Sequence, residues 1–179
     1  GGIGLAGNDL DINSSYNDTT GALTIGSTGE NAYIIEVFGD LGLNTISVGP
    51  GVSDEIRTAY ITAPNGSIYN RNNSIGGINV TSGKIWLFAA NNIGEYAKPI
   101  TTQAESIEGR STAGNFIVDN SGAIDIGGVI DGSFNGEEAS GIYAGGDIQF
   151  QAKSPVTQTE NVIAIGTILI KSFEEAGNG

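Results

Sequence analysis

The sequence predicts an all-β protein, a right-handed parallel β-helix (β-solenoid) of about nine coils. Three observations lead to this prediction: a glycine-led phrase recurs along the chain, many short strand-like runs lie between turn residues, and no helical period lasts more than two turns. We therefore interpret residues 1–179 as a single solenoid segment, part of a longer repeat protein or fibre.

The recurring phrase is a glycine, any residue, an aliphatic residue, any residue and another apolar residue. Its copies begin at Gly21, Gly42, Gly66, Gly83, Gly122, Gly146 and Gly166. The intervals between them are 21, 24, 17, 39, 24 and 20 residues, and the interval of 39 is close to two ordinary steps. One turn and one short strand cannot bury an apolar face alone, so successive copies must stack, and at about 4.8 Å per coil they form a rod of about 43 Å. The positions predicted to face inward in columns are Leu23, Ile46, Ile68, Ile85, Ile124, Ile148 and Ile168.

The predicted strands are short alternating or β-branched runs, most of them bounded by Gly, Asn, Asp or Ser. Turn pairs such as Asn65-Gly66 and Gly145-Gly146 supply positive φ at low steric cost. Longer steps predict loops that bulge from the rod at Gly49–Thr58 and Asp131–Ser140. In chain order the strands are Leu10–Asn13, Ala22–Ile25, Ala32–Phe38, Asn44–Val48, Ala59–Thr62, Ile78–Thr81, Lys84–Phe88, Asn115–Asp119, Ala123–Ile126, Gly141–Tyr143, Asp147–Gln151 and Asn161–Ile170.

Such strands also suit a sandwich or a barrel, but a shared phrase at a steady interval favours the solenoid. The chain contains no cysteine and no histidine, which excludes disulfides and His-dependent triads or zinc sites. Its net charge of −13 repels phosphate backbones, so we expect no nucleic-acid partner. The most apolar stretch, Val162–Ile170, is too short to span a bilayer, so we expect no membrane insertion.

Several segments resemble the repeats of filamentous-haemagglutinin-type bacterial exoproteins, over roughly residues 60–171. Asn92–Thr102 is similar to that family's NIG…A-N-P-I-x-T segment, and Gly114–Val129 to its G-x-I-Y-V-x-N-x-G-A-L-T-I-G-x-V segment. Gly145–Phe150 and Ser154–Gln158 resemble its GGDI-x-L-x-A-x-S-P-L-T coil. The resemblance implies the β-helical shaft of a secreted or cell-surface adhesin. Its partners would be neighbouring repeats, or a glycan or protein receptor on a host or cell surface.

Two other functions stay open. Some β-helices degrade polysaccharides with clustered carboxylates, but the acidic residues here are mostly single residues in turns, so we expect no enzyme and no catalytic residue. A calcium-dependent surface assembly module is the stronger alternative, because Asp turns on stacked coils can converge on one ion. No other cofactor is expected. The candidate calcium ligands are Asp119, Asp125, Asp131 and Asp147.

Trp86 is the one tryptophan, and alternation after Ile85 places it on the outer face of its strand. It is a candidate for stacking on a sugar ring, and the alternative is an aromatic side chain packed beneath a neighbouring loop. Five sequons make candidate glycosylation sites, at Asn13, Asn17, Asn65, Asn72 and Asn79.

Neither end of the sequence provides an evident cap for a terminal coil. Gly1–Ala6 already follows the repeat pattern, and Ser172–Gly179 is short and rich in glycine. A solenoid whose end edges are uncovered exposes unpaired backbone groups. We therefore expect the chain to continue into further coils or to associate with itself along the solenoid axis.

Overall fold

A computed structural model describes residues 2–16, 19–49, 56–134 and 136–174, and in these residues the chain forms strands and no helix. No helix long and apolar enough to cross a membrane is found in this part of the chain. The strands are β1 (Leu10–Ile12), β2 (Ser15–Tyr16), β3 (Thr19–Thr20), β4 (Leu23–Thr28), β5 (Ala32–Glu36), β6 (Leu41–Val48), β7 (Thr58–Ala63), β8 (Ile68–Asn70), β9 (Val80–Thr81), β10 (Lys84–Ala89), β11 (Ile100–Gln103), β12 (Ser106–Ser111), β13 (Phe116–Asn120), β14 (Ile124–Ile126), β15 (Gly132–Phe134), β16 (Glu137–Ala139), β17 (Ile142–Ala144), β18 (Ile148–Lys153), β19 (Val156–Gln158), β20 (Val162–Ala164) and β21 (Ile168–Phe173).

Two parallel sheets form the body of the protein. Sheet 1 runs in the order β1, β5, β7, β10 and β12, after which β14 and β17 pair with different parts of β12 and are followed by β19 and β20. Sheet 2 runs from β4 through β6, β9, β11, β13 and β18 to β21, with β8 beside β6. The chain passes from one sheet to the other and back, adding one or two strands to each sheet in turn, which is the arrangement of a parallel β-solenoid. The right-handed winding stays a prediction from the usual hand of parallel crossovers.

The ladders of the described residues define seven coils, two fewer than the 20-residue step predicts. In chain order these coils are β1 with β4, β5 with β6, β7 with β8 and β9, β10 with β11, β12 with β13, β14 and β17 with β18, and β19 and β20 with β21. One inward column of sheet 2 gives the true period, because its members lie 27, 25, 23, 32 and 20 residues apart. They are Leu41, Ile68, Ile93, Phe116, Ile148 and Ile168.

The core lies between the two sheets and consists of aliphatic columns. Ala59, Ile85, Ile107 and Ile126 follow one another in register in sheet 1, and all four are fully buried. The predicted inward positions all contribute to this core or pack against it, except Ile168, which lies on the last coil. They do not form one column, however, because Ile85 and Ile124 belong to sheet 1 and the others belong to sheet 2. The glycine-led phrase occurs in both sheets and therefore does not mark one strand per coil.

Several strands differ from the prediction. β11, β12 and β19 were not predicted, and β12 reads Ser-Ile-Glu-Gly-Arg-Ser, in which only one residue is apolar. The predicted strand Asn161–Ile170 is two strands, β20 and β21, that belong to different sheets. The predicted bulge Asp131–Ser140 contains the antiparallel hairpin of β15 and β16. Most of the other predicted bulge, Gly49–Thr58, lies outside the described residues.

A ladder of polar side chains joins the turns that lead into sheet 2. An oxygen of each side chain accepts a hydrogen bond from the backbone N–H of the equivalent residue one coil later. The bonds run from Ser67 N to Asp40 Oδ1 (2.8 Å), Asn92 N to Ser67 Oγ (3.3 Å), Asn115 N to Asn92 Oδ1 (2.9 Å), Asp147 N to Asn115 Oδ1 (2.8 Å) and Thr167 N to Asp147 Oδ1 (2.7 Å). Backbone donors that no strand pairs are thereby satisfied, and the coils are held in register.

Candidate functional site

The last coil leaves one edge of the solenoid open. Among the described residues, β19, β20 and β21 pair with the preceding coil and with no other strand. Their inward side chains extend the core columns, and no other coil among the described residues covers them, so Ile168 is 45% exposed. At the opposite end Ile25 is buried and Leu23 packs against the core, whereas Leu10, in register with the buried Ile34, is 40% exposed. The edge of the last coil therefore exposes apolar side chains that continue the core columns.

The backbone of β21 also presents unpaired groups at this edge. The N–H of Ile148 donates to Thr167 O (2.8 Å), and the N–H of Ser154 donates to Phe173 O (2.8 Å). Because successive residues of a strand point their polar backbone groups to opposite sides, those of Ile168, Ile170 and Ser172 point away from β18. A further parallel strand can pair there.

A second candidate region lies on the outer face of sheet 1, where a short strap formed by residues 127–131 crosses the neighbouring strands. Trp86 and Phe88 of β10 pack beneath it against Val129, and Trp86 is only 1% exposed. Gly127 and Gly128 have φ of 132° and 68°, a conformation that favours glycine. These glycines allow the chain to leave β14 and turn back across two coils.

Charged side chains from three different coils bind the strap. Glu108 Oε1 on β12 accepts from Val129 N (2.7 Å), and Glu160 Oε1 accepts from Gly128 N (3.1 Å). The ammonium of Lys84 donates to Gly128 O (2.6 Å). Burial, followed by the nearby Glu160 carboxylate, raises the pKa of Glu108 from 4.5 to about 7, although the Val129 N–H acts in the opposite direction. Glu108 was not predicted as a site residue, because a single acid in a strand without alternation carries no signal of burial.

The four candidate calcium ligands are not brought together. Asp119 is on the outer face of sheet 2 and accepts from Gln151 Nε2 (3.0 Å), and burial raises its pKa. Asp125 is in sheet 1 beside Thr159, and Asp131 is an exposed residue at the end of the strap. The N–H of Thr167 and then the hydroxyl of Tyr96 lower the pKa of Asp147. No group of three or more acidic side chains that could hold a metal ion occurs among the described residues.

Trp86 lies on the outer face of its strand as predicted, but its ring is covered by the strap. The structure therefore has the packed arrangement, and the ring offers no free face to a sugar. Among the sequon residues, Asn13 and Asn65 are exposed, whereas Asn72 and Asn79 are buried. A glycan on either buried residue is incompatible with this fold, because a sequon reports sequence and not exposure. Asn17 lies outside the described residues.

The buried amide of Asn79 supports the fold, and we expect Asn79→Ala to lower the free energy of unfolding by about 3 kcal/mol. Asn79 Nδ2 donates to Leu43 O (2.9 Å) and Asn70 Oδ1 (3.0 Å), while its Oδ1 accepts from Thr101 N (2.9 Å). The substitution removes all of these hydrogen bonds at a fully buried position, although Leu43 O still accepts from Arg71 N and Asn70 Oδ1 from Asn72 N. Urea denaturation measures the loss.

Asn65→Ala is the matched control for this prediction. Asn65 is an exposed sequon residue with one hydrogen bond, from its Nδ2 to Val37 O (3.0 Å). We expect a loss below about 1 kcal/mol. Equal losses in the two variants would contradict the role assigned to Asn79.

No family model, no curated protein and no solved structure matches this chain, so an assignment of function depends on the geometry described above.

Proposed function

We propose that this chain is a non-enzymatic structural segment of a secreted or cell-surface adhesin or extracellular fibre, in which another coil of the same kind stacks on its last coil. The observation that carries the proposal is the open edge formed by β19, β20 and β21. Apolar side chains of the core columns and unpaired backbone groups occur together there. A stacked parallel coil satisfies both at once, whereas water satisfies only the backbone groups.

The composition and the resemblance to filamentous-haemagglutinin-type exoproteins support the same function. A net charge of −13 keeps a long repeat protein soluble while its coils pack end to end. A chain without cysteine needs no redox chemistry to fold after export. Contact with a glycan or protein receptor would then take place on the sides of the rod, which carry the loops.

Sedimentation velocity of the isolated chain over a wide concentration range tests the proposal. We expect assemblies that grow with concentration and, in electron micrographs, rods longer than one solenoid. A stable monomer at high concentration would count against axial stacking.

Two further measurements address the rival functions. Release of reducing ends from a panel of polysaccharides would show that the chain is an enzyme and would contradict the proposed structural function. A melting temperature that falls sharply in chelator would favour the calcium-dependent module, and we expect neither result.

A further inference from the structure

The strap of residues 127–131 is attached mainly through polar groups, although it covers an apolar surface. Hydrogen bonds from Val129 N and Ile130 N to Glu108, from Gly128 N to Glu160 and from Lys84 to Gly128 O join it to three coils. The side chain of Val129 adds a contact with Trp86 and Phe88.

One carboxyl oxygen of the Glu108–Glu160 pair lacks a hydrogen-bond donor if both groups are ionised. Glu160 Oε2 is buried and has no hydrogen-bond donor among the described residues. Glu108 is fully buried, and its side chain is close enough to hydrogen-bond with that of Glu160. Two carboxylates cannot donate to each other, whereas a protonated Glu108 can donate to Glu160 and still accept from Val129 N. The closed strap therefore fits one shared proton better than two negative charges.

We propose that the strap is a pH-sensitive cover over the aromatic surface of Trp86 and Phe88, closed when Glu108 and Glu160 share a proton and released when both carboxyl groups are ionised. This inference is independent of axial stacking, because the strap lies on a side of the rod and the open edge lies at its end.

The direction of the pH dependence follows from the raised pKa of Glu108. The pKa of Glu108 is about 7 with the strap closed and is ordinarily 4.5, so the closed strap binds the proton more tightly. The closed state is fully favoured below about pH 4.5 and loses this advantage as the pH rises through about 7. The ratio of open to closed strap then increases by up to about 300-fold, which is ten to the power of 7 minus 4.5.

Other charged and titratable groups on this face of sheet 1 do not reverse the direction of the pH dependence. The Lys84 side chain on β10 is basic and donates to Gly128 O. Tyr60 on β7 is near Glu108, and burial raises its pKa, so it stays neutral; Tyr33 stacks on Tyr60. Arg110 is two residues after Glu108 and lies on the same face of β12. Asp125 on β14 is a further acidic group and is hydrogen-bonded to Thr159.

Trp86 serves as a reporter of the strap, because it is the one tryptophan in the chain. The experiment measures its emission maximum and its quenching by acrylamide between about pH 5 and about pH 9. We expect a shielded, blue-shifted emission at the acid end, and a red shift with several-fold stronger quenching above about pH 7. Far-UV circular dichroism should stay constant, since the ladders do not open with the strap.

Substitution of either carboxyl group separates the strap from other effects of pH. In Glu108→Gln the amide keeps an oxygen for Val129 N and donates to Glu160, so we expect Trp86 to stay shielded at every pH. Glu160→Gln should have the same effect, because its amide donates to an ionised Glu108. Glu95→Gln removes one exposed acid elsewhere and should titrate like the unmodified chain. Quenching that does not change with pH in the unmodified chain, or an unchanged titration in folded Glu108→Gln and Glu160→Gln, would overturn the proposal.

Discussion

We expect Ile107→Asp to abolish cooperative folding of the chain at room temperature. Ile107 is fully buried in the fifth coil and lies in register between Ile85 and Ile126. In the described part of the chain the core around this column consists of apolar side chains, so the new carboxylate is buried without a partner. Such a charge, together with the lost apolar contacts, costs about 5 kcal/mol, which is comparable to the whole stability of many domains.

Ile75→Asp is the matched control, since it makes the same chemical change at a fully exposed isoleucine in the loop between β8 and β9. We expect its unfolding curve in urea to coincide with that of the unmodified chain to within about 0.5 kcal/mol. Circular dichroism of both variants during urea denaturation shows whether each one folds and how stable it is. A folded Ile107→Asp with a native transition would contradict the two-sheet core.

The stacking of aliphatic residues was predictable because it depends on local alternation. Ile68, Ile85 and Ile148 each follow a glycine turn at the same offset, and all three are fully or almost fully buried. Their assignment to sheets was not predictable in this way. Both strands of a coil begin with the same kind of turn, so the phrase at Gly83 leads into sheet 1 and the phrase at Gly146 leads into sheet 2.

The number of coils depends on excursions that leave the repeat. Ile126 and Ile142 continue one strand position of the sixth coil, although 15 residues lie between them, from 127 to 141. The six residues from 94 to 99 interrupt the fourth coil in the same way, between the bridge at Ile93 and β11. Polar and glycine-rich excursions look like ordinary turns in a sequence, so a step of about 20 residues underestimates the period of the coils.

The candidate sites were less predictable than the fold, because they depend on what the excursions cover. Alternation correctly placed Trp86 outside the core, yet only the path of the strap decides that its ring is buried. Glu108 acquires its environment from Val129 and Glu160, which are distant in sequence. The aspartates at 119, 125 and 147 are turn or strand residues whose partners are polar neighbours on adjacent coils.

The open edge of the last coil leads to a second large expected effect: Ile168→Lys should weaken axial association about 1,000-fold. Ile168 ends the column that contains Phe116 and Ile148, and its side chain would be covered by a stacked coil. An ammonium buried there without a partner costs about 4 kcal/mol, which corresponds to that change in the dissociation constant. Sedimentation at graded concentrations measures the association, and native circular dichroism verifies that the monomer stays folded.

Leu169→Lys is the matched control for the edge, because Leu169 is the next residue of β21 and its exposure, 39%, is close to the 45% of Ile168. Its side chain points to the opposite face of the sheet and stays in solvent after stacking, so association should be unchanged. Ser172→Pro tests the backbone separately, since it removes an N–H that points to the open edge without breaking the ladder to β18. Strand-on-strand stacking predicts weaker association in Ile168→Lys and Ser172→Pro and unchanged association in Leu169→Lys, and only this kind of stacking produces that pattern. Equal weakening by both lysines would instead indicate association through the sides of the rod.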